Sequence, residues 1–150
     1  MSEIDNETDS GIDYAALMPF AVASGVRIVR ATPEEVLGEL DWAAERTTAG
    51  GALHGGAIMT LADSVGAVCA FLNLPAGAST STTSSSTTFV RGVRSGTVTA
   101  LARPLHVGRS TIAVVTEVRE GGGRPGSEGV AAGRGRLVAQ VTQTQAVLAG

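Results

Sequence analysis

The sequence predicts an α+β protein in which an antiparallel sheet of about six strands wraps round one buried helix. Apolar residues between Gly55 and Leu72 recur at three- and four-residue spacing, which is typical of a helix. The segments on either side alternate apolar and polar residues or are rich in β-branched residues, as strands are. At 150 residues, 43% of them hydrophobic, the chain can form one domain with a substantial core.

Two strands are predicted ahead of the helix. The acidic first residues, 1–11, predict a disordered tail before a single domain over 12–150. Residues 12–20 suit one or two helical turns that end at Pro19. Alternating apolar and polar residues then predict a pair of antiparallel strands at 21–32 and 34–42.

The central segment, about 55–72, is nearly apolar all round, which indicates a helix buried within the protein. Four strands are predicted after it, at 79–93, 96–108, 110–121 and 134–150, with a flexible hairpin tip at 121–133. The first of these is rich in threonine, which suits a strand with one polar face. The last has one buried face, indicated by Leu137, Ala139, Val141 and Val147.

Composition and charge exclude several classes of function. The formal net charge is −3 and the eleven basic residues, all arginine, are scattered, which argues against a general nucleic-acid binder. No apolar run approaches the ~20 residues of a membrane-spanning helix, and the first residues lack the pattern of a signal peptide. With a single cysteine as well, we expect a cytoplasmic protein.

Cys69 and the two histidines offer weaker signals. Cys69 lies inside the apolar helix, where a lone cysteine usually packs in the core, and Met59 is predicted to be core for the same reason. His54, His106 and Asp63 show no metal-ligand spacing, so no metal site and no cofactor are predicted.

His54, Gly55, Gly56 and Asp63 together suggest a site, although a glycine-rich turn with an incidental acid is the simpler interpretation. A helix N-terminus offers unpaired N–H groups to a developing oxyanion, and glycine lets a carbonyl approach the backbone closely. A carboxylate serves as a general base or nucleophile. Without a general acid, such a site suits a thiolate leaving group, since thiols have a pKa near ~8.5. A thioester is therefore the natural substrate.

The spacing of Gly55 and Asp63 restricts how the site is built. Eight residues of helix are about 12 Å long, so Asp63 cannot reach a carbonyl held by the N–H of its own Gly55. An antiparallel second copy of the helix would bring the partner's Asp63 to that position. The site therefore requires at least a homodimer, with two equivalent sites.

The segment GALHGGAIMTLADSVGA (51–67) resembles the signature of hotdog-fold thioesterases of the phenylacetic-acid-degradation type, to which the 4-hydroxybenzoyl-CoA thioesterases of one bacterial lineage are close. The resemblance extends weakly over about 20–148, through FVRGVRSGTVTA, HVGRST and RLVAQVTQTQAVL. It implies the hotdog fold, a long helix wrapped by an antiparallel sheet, and assembly into dimers and often tetramers.

The resemblance also assigns roles to the catalytic candidates. It implies that the Gly55 N–H polarises the thioester carbonyl, that Asp63 of the opposing subunit is the base or nucleophile, and that His54 orients the loop. A hydroxyl on the strand after the helix, Ser81 or Thr82, would help to place the water. Thr48 stands where the family commonly has Asn or Gln, and its single hydroxyl proton offers less hydrogen bonding there.

Other residues are candidates for contact with substrate. The acyl group would lie against small residues of the helix, Gly66, Ala67 and Ala70. Arginines near the family blocks are the first candidates for the phosphates of coenzyme A. The full set of binding candidates is Gly56, Ala67, Arg91, Arg94, His106, Gly108, Arg109 and Ser110.

The sequence thus predicts an acyl-CoA thioesterase that hydrolyses an aryl- or medium-chain acyl-CoA to the acid and free CoA. Its expected partners are the substrate and its own copies, in a homodimer at least and a homotetramer by resemblance, with no nucleic acid and no membrane. Two alternatives stay open, because the hotdog fold hosts several functions. One is a non-catalytic acyl-CoA-binding protein, favoured by Thr48; the other is a thioesterase for acyl groups on a carrier protein.

Overall fold

The computed structural model describes residues 11–122 and 133–150. Most of the predicted acidic tail, 1–11, and of the predicted hairpin tip, 121–133, lies outside these residues. Six strands form one antiparallel sheet in the order β1-β2-β4-β5-β6-β3. The strands are β1 (Arg27–Ala31), β2 (Val36–Asp41), β3 (Ser79–Phe89), β4 (Thr97–Val107), β5 (Thr111–Glu120) and β6 (Arg136–Leu148).

A short helix, α1 (Pro19–Ala23), and a long one, α2 (Gly55–Phe71), complete the fold with two 3-10 turns at Ala15–Leu17 and Ala44–Arg46. Helix α2 contacts every strand of the sheet. Gly38 of β2 lets the helix approach closely, because a Cβ there would lie 2.5 Å from Val65 Cγ2. The predicted α+β fold, six antiparallel strands around one long helix, is confirmed.

The helical turn predicted within 12–20 is present as the 3-10 turn Ala15–Leu17, which ends just ahead of Pro19, but a helix also begins there. Pro19 is the first residue of α1, where its missing N–H is not needed and its fixed φ suits a helix. Residues 21–23, predicted as strand, continue that helix, and β1 begins only at Arg27.

Helix α2 is buried except along one stripe. Nine of its residues are buried, whereas Gly56, Met59, Asp63 and Phe71 are exposed at three-, four- and eight-residue spacing on one side. The prediction of Met59 as core is therefore wrong, since the residue is 43% exposed. We call these four residues the α2 stripe.

Strand β3 forms an edge of the sheet beside the helix. Among the described residues it pairs with β6 alone, and its eleven residues are serine, threonine and one phenylalanine. A long edge strand leaves backbone N–H and C=O groups open to pairing with another chain.

No helix within the described residues has both the length and the apolar character needed to cross a bilayer.

Candidate active site

The N-terminus of α2 is capped by His54. His54 has extended backbone angles, φ −63° and ψ 135°, and its Nδ1 accepts a hydrogen bond from the Gly56 N–H at 2.8 Å. Nδ1 therefore carries no proton in this arrangement, so His54 positions the helix start instead of donating a proton from that atom. The orienting role in catalysis that the resemblance implied for His54 stays a prediction.

Capping leaves one N–H of the first turn available. The Gly56 N–H bonds to His54 Nδ1, and the Ala57 N–H bonds to the His54 carbonyl at 2.9 Å. The Gly55 N–H has no acceptor within the described residues. It lies where the helix dipole favours negative charge. Gly55 is thus the one free donor of this first turn in the described structure.

The loop ahead of the helix is held from two sides. The His54 N–H donates to the Arg46 carbonyl and the Leu53 N–H donates to the Val93 carbonyl, both at 2.7 Å. The Arg46 guanidinium in turn donates to the carbonyls of Ser24 and Asp41. Fixing the loop in this way fixes the direction of the Gly55 N–H.

Thr48 lies in the exposed turn of this loop. Its N–H donates to the Ala52 carbonyl at 2.8 Å and its carbonyl accepts from Gly51 N–H at 3.0 Å. Its role in catalysis stays a prediction.

Asp63 lies in the middle of the α2 stripe and is held through one oxygen only. Oδ1 accepts from the Thr82 hydroxyl at 3.0 Å and from Gln143 Nε2 at 3.2 Å. Oδ2 has no hydrogen-bond donor within the described residues, and none of the ion pairs found there includes Asp63. One carboxylate oxygen of this exposed residue is thus anchored, and the other has no donor in the described part of the chain.

Behind Thr82, a row of polar groups on β3 and β6 donates towards this carboxylate. The Thr80 hydroxyl lies 3.2 Å from Gln145 Oε1, and Gln145 Nε2 donates to the Thr82 hydroxyl oxygen at 2.6 Å. Thr82 then donates its only proton to Asp63. The Gln145 amide thus holds the Thr82 hydroxyl so that its proton points to Asp63. The Thr80 hydroxyl has a shorter contact with the Ala146 carbonyl, at 2.8 Å.

A β-bulge aims these side chains at Asp63. In the pairing of β3 with β6, Thr82 is opposite Gln145 and Ser84 is opposite Thr144, so Thr83 is an extra residue on β3. A bulge re-aims the side chains on either side of it. Ser81 precedes Thr82 and therefore points to the other face of β3. Of the two predicted hydroxyl candidates, Thr82 alone contacts Asp63.

Gln143 and Gln145 are site residues that the sequence analysis missed. They are 1% and 0% exposed, respectively. A signal was present in the last strand, where residues 137, 139, 141 and 147 indicate a buried face. Positions 143 and 145 continue that alternation with two glutamines. Polar residues on a buried face need partners, and here the partners lead to Asp63.

A wholly apolar cavity of about 230 Å³ opens one helical turn beyond Asp63. Ala67 lies four residues after Asp63 on the same side of α2, and Thr80 lies two residues before Thr82 on the same face of β3. The cavity is lined by Tyr14, Leu17, Met18, Ala67, Val68, Phe71 and Thr80. Gly66 and Ala70, the other two predicted acyl contacts, are buried.

Comparison with known proteins identifies the family. Residues 50–127, just over half of the chain, match the model of the thioesterase superfamily. The chain belongs to the thioesterase superfamily. Rv1847 of Mycobacterium tuberculosis, named provisionally as an esterase, is 30% identical over 104 residues, which are 67% of this chain and 74% of Rv1847.

Two solved structures show the same fold. A mutant of thioesterase PA1618 from Pseudomonas aeruginosa is 25% identical with a TM-score of 0.75, covering 90% of this chain and 91% of that one. A mutant of the phenylacetic acid degradation protein PaaI from Thermus thermophilus is 27% identical with a TM-score of 0.70, covering 87% and 99%. With the six-stranded sheet and long helix, membership confirms the hotdog fold and supports thioester hydrolysis as the general activity.

In this member of the superfamily the cysteine takes no part in the site. Cys69 is fully buried, and burial raises the pKa of its thiol to about 11. The thiol is therefore protonated near neutral pH and is a poor nucleophile. Its interpretation as a core residue is confirmed. No group of three metal-binding side chains occurs in residues 11–122 and 133–150.

The residues predicted to bind coenzyme A form two groups, near opposite ends of β3. Arg91 and Arg94 follow β3; Arg94 donates to the Gly50 carbonyl at 2.7 Å, beside the loop that leads to α2, and Arg91 lies 3.9 Å from Glu120. The turn between β4 and β5 is near the other end of β3. It contains the exposed residues Arg109 and Ser110, together with Gly108, whose N–H bonds to Thr111 O, and the exposed His106 precedes it near the end of β4.

The length of β3 separates these two groups. At about 3.3 Å per residue, the eleven residues of β3 extend over roughly 33 Å. Within one chain, the two groups cannot therefore contact the same phosphate.

Proposed function

We propose that the protein is an acyl-CoA thioesterase that hydrolyses R–CO–S–CoA to a carboxylic acid and free CoA at sites shared by two subunits. The observation that carries the proposal is the pair of unused groups on α2. The Gly55 N–H and Asp63 Oδ2 lack partners within the described residues, although each is held in place by its neighbours. One is a donor for an oxyanion and the other is a base or nucleophile.

The chemistry follows from these two groups. The Gly55 N–H donates to the thioester oxygen as negative charge develops on it. Oδ2 of the partner's Asp63 either removes a proton from the attacking water or attacks the carbonyl carbon itself. In both routes a C–O bond forms, the C–S bond breaks, and the electron pair leaves with sulfur as the CoA thiolate. In the second route water then hydrolyses the acyl-Asp63 anhydride.

A dimer is proposed because the two groups cannot meet within one chain. They are eight residues apart on one helix, about 12 Å. The α2 stripe also presents Met59 and Phe71 to solvent on either side of Asp63, at 43% and 51% exposure, next to the open edge of β3. A second copy related by a two-fold axis would cover these apolar side chains and pair the strand edge.

Hybrid dimers test the shared site. We expect Asp63→Asn and Gly55→Pro each to be inactive as homodimers, and their co-expression to restore about one quarter of wild-type activity. Half of randomly formed dimers are mixed, and each mixed dimer has one of its two sites intact. The measurement is thiol release by the co-expressed dimers, repeated on doubly tagged mixed dimers purified through both tags. Co-expression of Asp63→Asn with Asp63→Ala is the control and should restore nothing.

A mixed dimer of Asp63→Asn and Gly55→Pro that stays inactive would place the donor and the acid in the same chain. That result would contradict the shared site.

The apolar cavity is proposed as the acyl pocket. It begins one turn beyond Asp63, and the protein surface that lines it is apolar. The Thr80 hydroxyl does not offer a free proton to it, because that hydroxyl donates to Gln145 Oε1 or the Ala146 carbonyl. A polar substituent on the acyl group would be desolvated without compensation, at about 1–3 kcal/mol. The substrate class is therefore a straight-chain or unsubstituted aromatic acyl group.

Filling the cavity should shorten the preferred acyl chain. In Ala67→Leu the added methyl groups occupy the cavity, so KM for decanoyl-CoA and octanoyl-CoA should rise at least tenfold while acetyl-CoA is little affected. Each methylene that loses its place in the pocket costs about 0.8 kcal/mol. The measurement is thiol release over a straight-chain acyl-CoA series. Leu105→Met, on an exposed residue of β4 away from the cavity, is the control.

If Ala67→Leu had the same dependence of KM on acyl-chain length as the wild type, the cavity would not be the acyl pocket. If the wild type bound CoA by calorimetry yet released no thiol from any acyl-CoA, the non-catalytic alternative would replace the enzyme.

A further inference from the structure

We propose that Gln143 is a positioning residue that makes Oδ2 the reactive oxygen of Asp63. The inference rests on the proposed thioesterase function. Gln143 lies on β6, eighty residues from Asp63 along the chain, and bonds Asp63 Oδ1 directly through Nε2 at 3.2 Å. An ionised carboxylate can accept hydrogen bonds but cannot donate them. The Gln143 amide must therefore present its donor, Nε2, to Asp63.

The orientation of the Gln143 amide leaves its other end without a partner. With Nε2 on Asp63, Oε1 is buried and has no hydrogen-bond donor within the described residues. The whole side chain is 1% exposed. A buried acceptor without a donor destabilises a protein, and most native structures avoid it. An apolar residue would fit this strand face better for stability alone, so the presence of glutamine here points to a function.

Gly66 makes room for this orientation. Gln143 Oε1 occupies the space that a side chain at position 66 would take, and a Cβ on Gly66 would collide with it. Gly66 is a buried residue of α2, one turn from Asp63, where glycine lowers helix stability compared with alanine. The glycine in the helix and the glutamine in the core each lower the stability of the fold. Together they allow Gln143 to bond to Asp63, because Gly66 leaves space for the amide.

Together with Thr82, Gln143 determines how the carboxylate is turned. Two donors on Oδ1 fix the rotation of the carboxyl group, and Oδ2 of this exposed residue is left without a donor in the described structure. Thr82 alone leaves the group free to rotate about a single hydrogen bond. Gln143 therefore acts through Asp63 without touching substrate.

Replacement of Gln143 by methionine tests the inference, because methionine has a similar length and shape but no amide. We expect kcat to fall about 10- to 100-fold, as misplacement of a reacting group does, with KM within twofold of wild type. The midpoint of thermal unfolding should rise by about 2–4 °C, since a buried unpaired acceptor is removed. Gln140→Met makes the same change at an exposed position of β6 and should alter neither quantity.

Wild-type kcat in Gln143→Met would overturn the inference. So would a loss of kcat accompanied by a lower unfolding midpoint or by a proportionate rise in KM, because these would indicate a structural or binding role.

A second measurement keeps this inference separate from the proposed function. In an Asp63→Ala background Gln143 loses its acceptor, so Gln143→Met should raise the unfolding midpoint more than it does in the wild type. This double-mutant cycle needs no substrate. Additive effects would overturn the link between Gln143 and Asp63. If the cycle shows coupling but the wild type hydrolyses no thioester, the proposed function fails while the link between the two residues stands.

Discussion

Asp63→Asn should lower kcat by at least about 100-fold and leave the fold intact. The amide can neither accept a proton from water nor attack the thioester effectively, and general-base catalysis alone contributes about 10²- to 10⁴-fold. The asparagine side chain keeps an oxygen that can accept from Thr82 and Gln143, so the polar contacts survive. We therefore expect the free energy of unfolding to change by no more than about 0.5 kcal/mol. Thiol release and thermal unfolding of the same preparations check the two parts.

Glu34→Gln is the matched control, since it makes the same acid-to-amide change at an exposed residue between β1 and β2. Turnover by Asp63→Asn equal to that of Glu34→Gln would show that the carboxylate does not take part in the reaction.

Gly55→Pro should lower kcat by about 10²- to 10³-fold, the usual effect of removing one oxyanion donor. Proline is tolerated at the first position of a helix, and His54 before it already has the extended angles that a following proline requires. The lost N–H has no acceptor within the described residues, so no hydrogen bond found there is broken. The variant therefore removes the donor without unfolding the helix start.

Gly55→Ala separates this loss from steric effects. Alanine keeps the N–H but introduces a Cβ that would lie 3.2 Å from the Phe89 ring, a contact that proline also makes. The further loss of kcat in Gly55→Pro, compared with Gly55→Ala, measures how much the N–H donor contributes to catalysis. Equal kcat in the two variants would mean that the Gly55 N–H does not bind the oxyanion.

Much of this site could be predicted from local sequence. The apolar spacing of residues 55–72 identifies α2, because burial on a helix repeats every three to four residues. The His-Gly-Gly segment at its start and the single acid inside it identify both catalytic candidates. Their separation along the helix excludes a site within one chain, and this follows from helix geometry alone.

The contacts that hold Asp63 could not be predicted in the same way. Gln143 and Thr82 reach it from β6 and β3, which pair although two other strands lie between them in sequence. The bulge at Thr83 decides which threonine faces the helix, and no local pattern in a run of serines and threonines marks its position. For the same reason Ser81 and Thr82 were equivalent in sequence and are not equivalent in the structure.

The sequence by itself determined the helix, the succession of strands along the chain, the free N–H at the helix start and the acid on the helix, because each depends on neighbours within one or two turns. Only the tertiary structure decided which oxygen of Asp63 is anchored, that Gln143 and Gln145 belong to the site, and that an apolar cavity begins at Ala67. These depend on distances between segments up to eighty residues apart, which are set by strand pairing, register and the packing of α2 on the sheet.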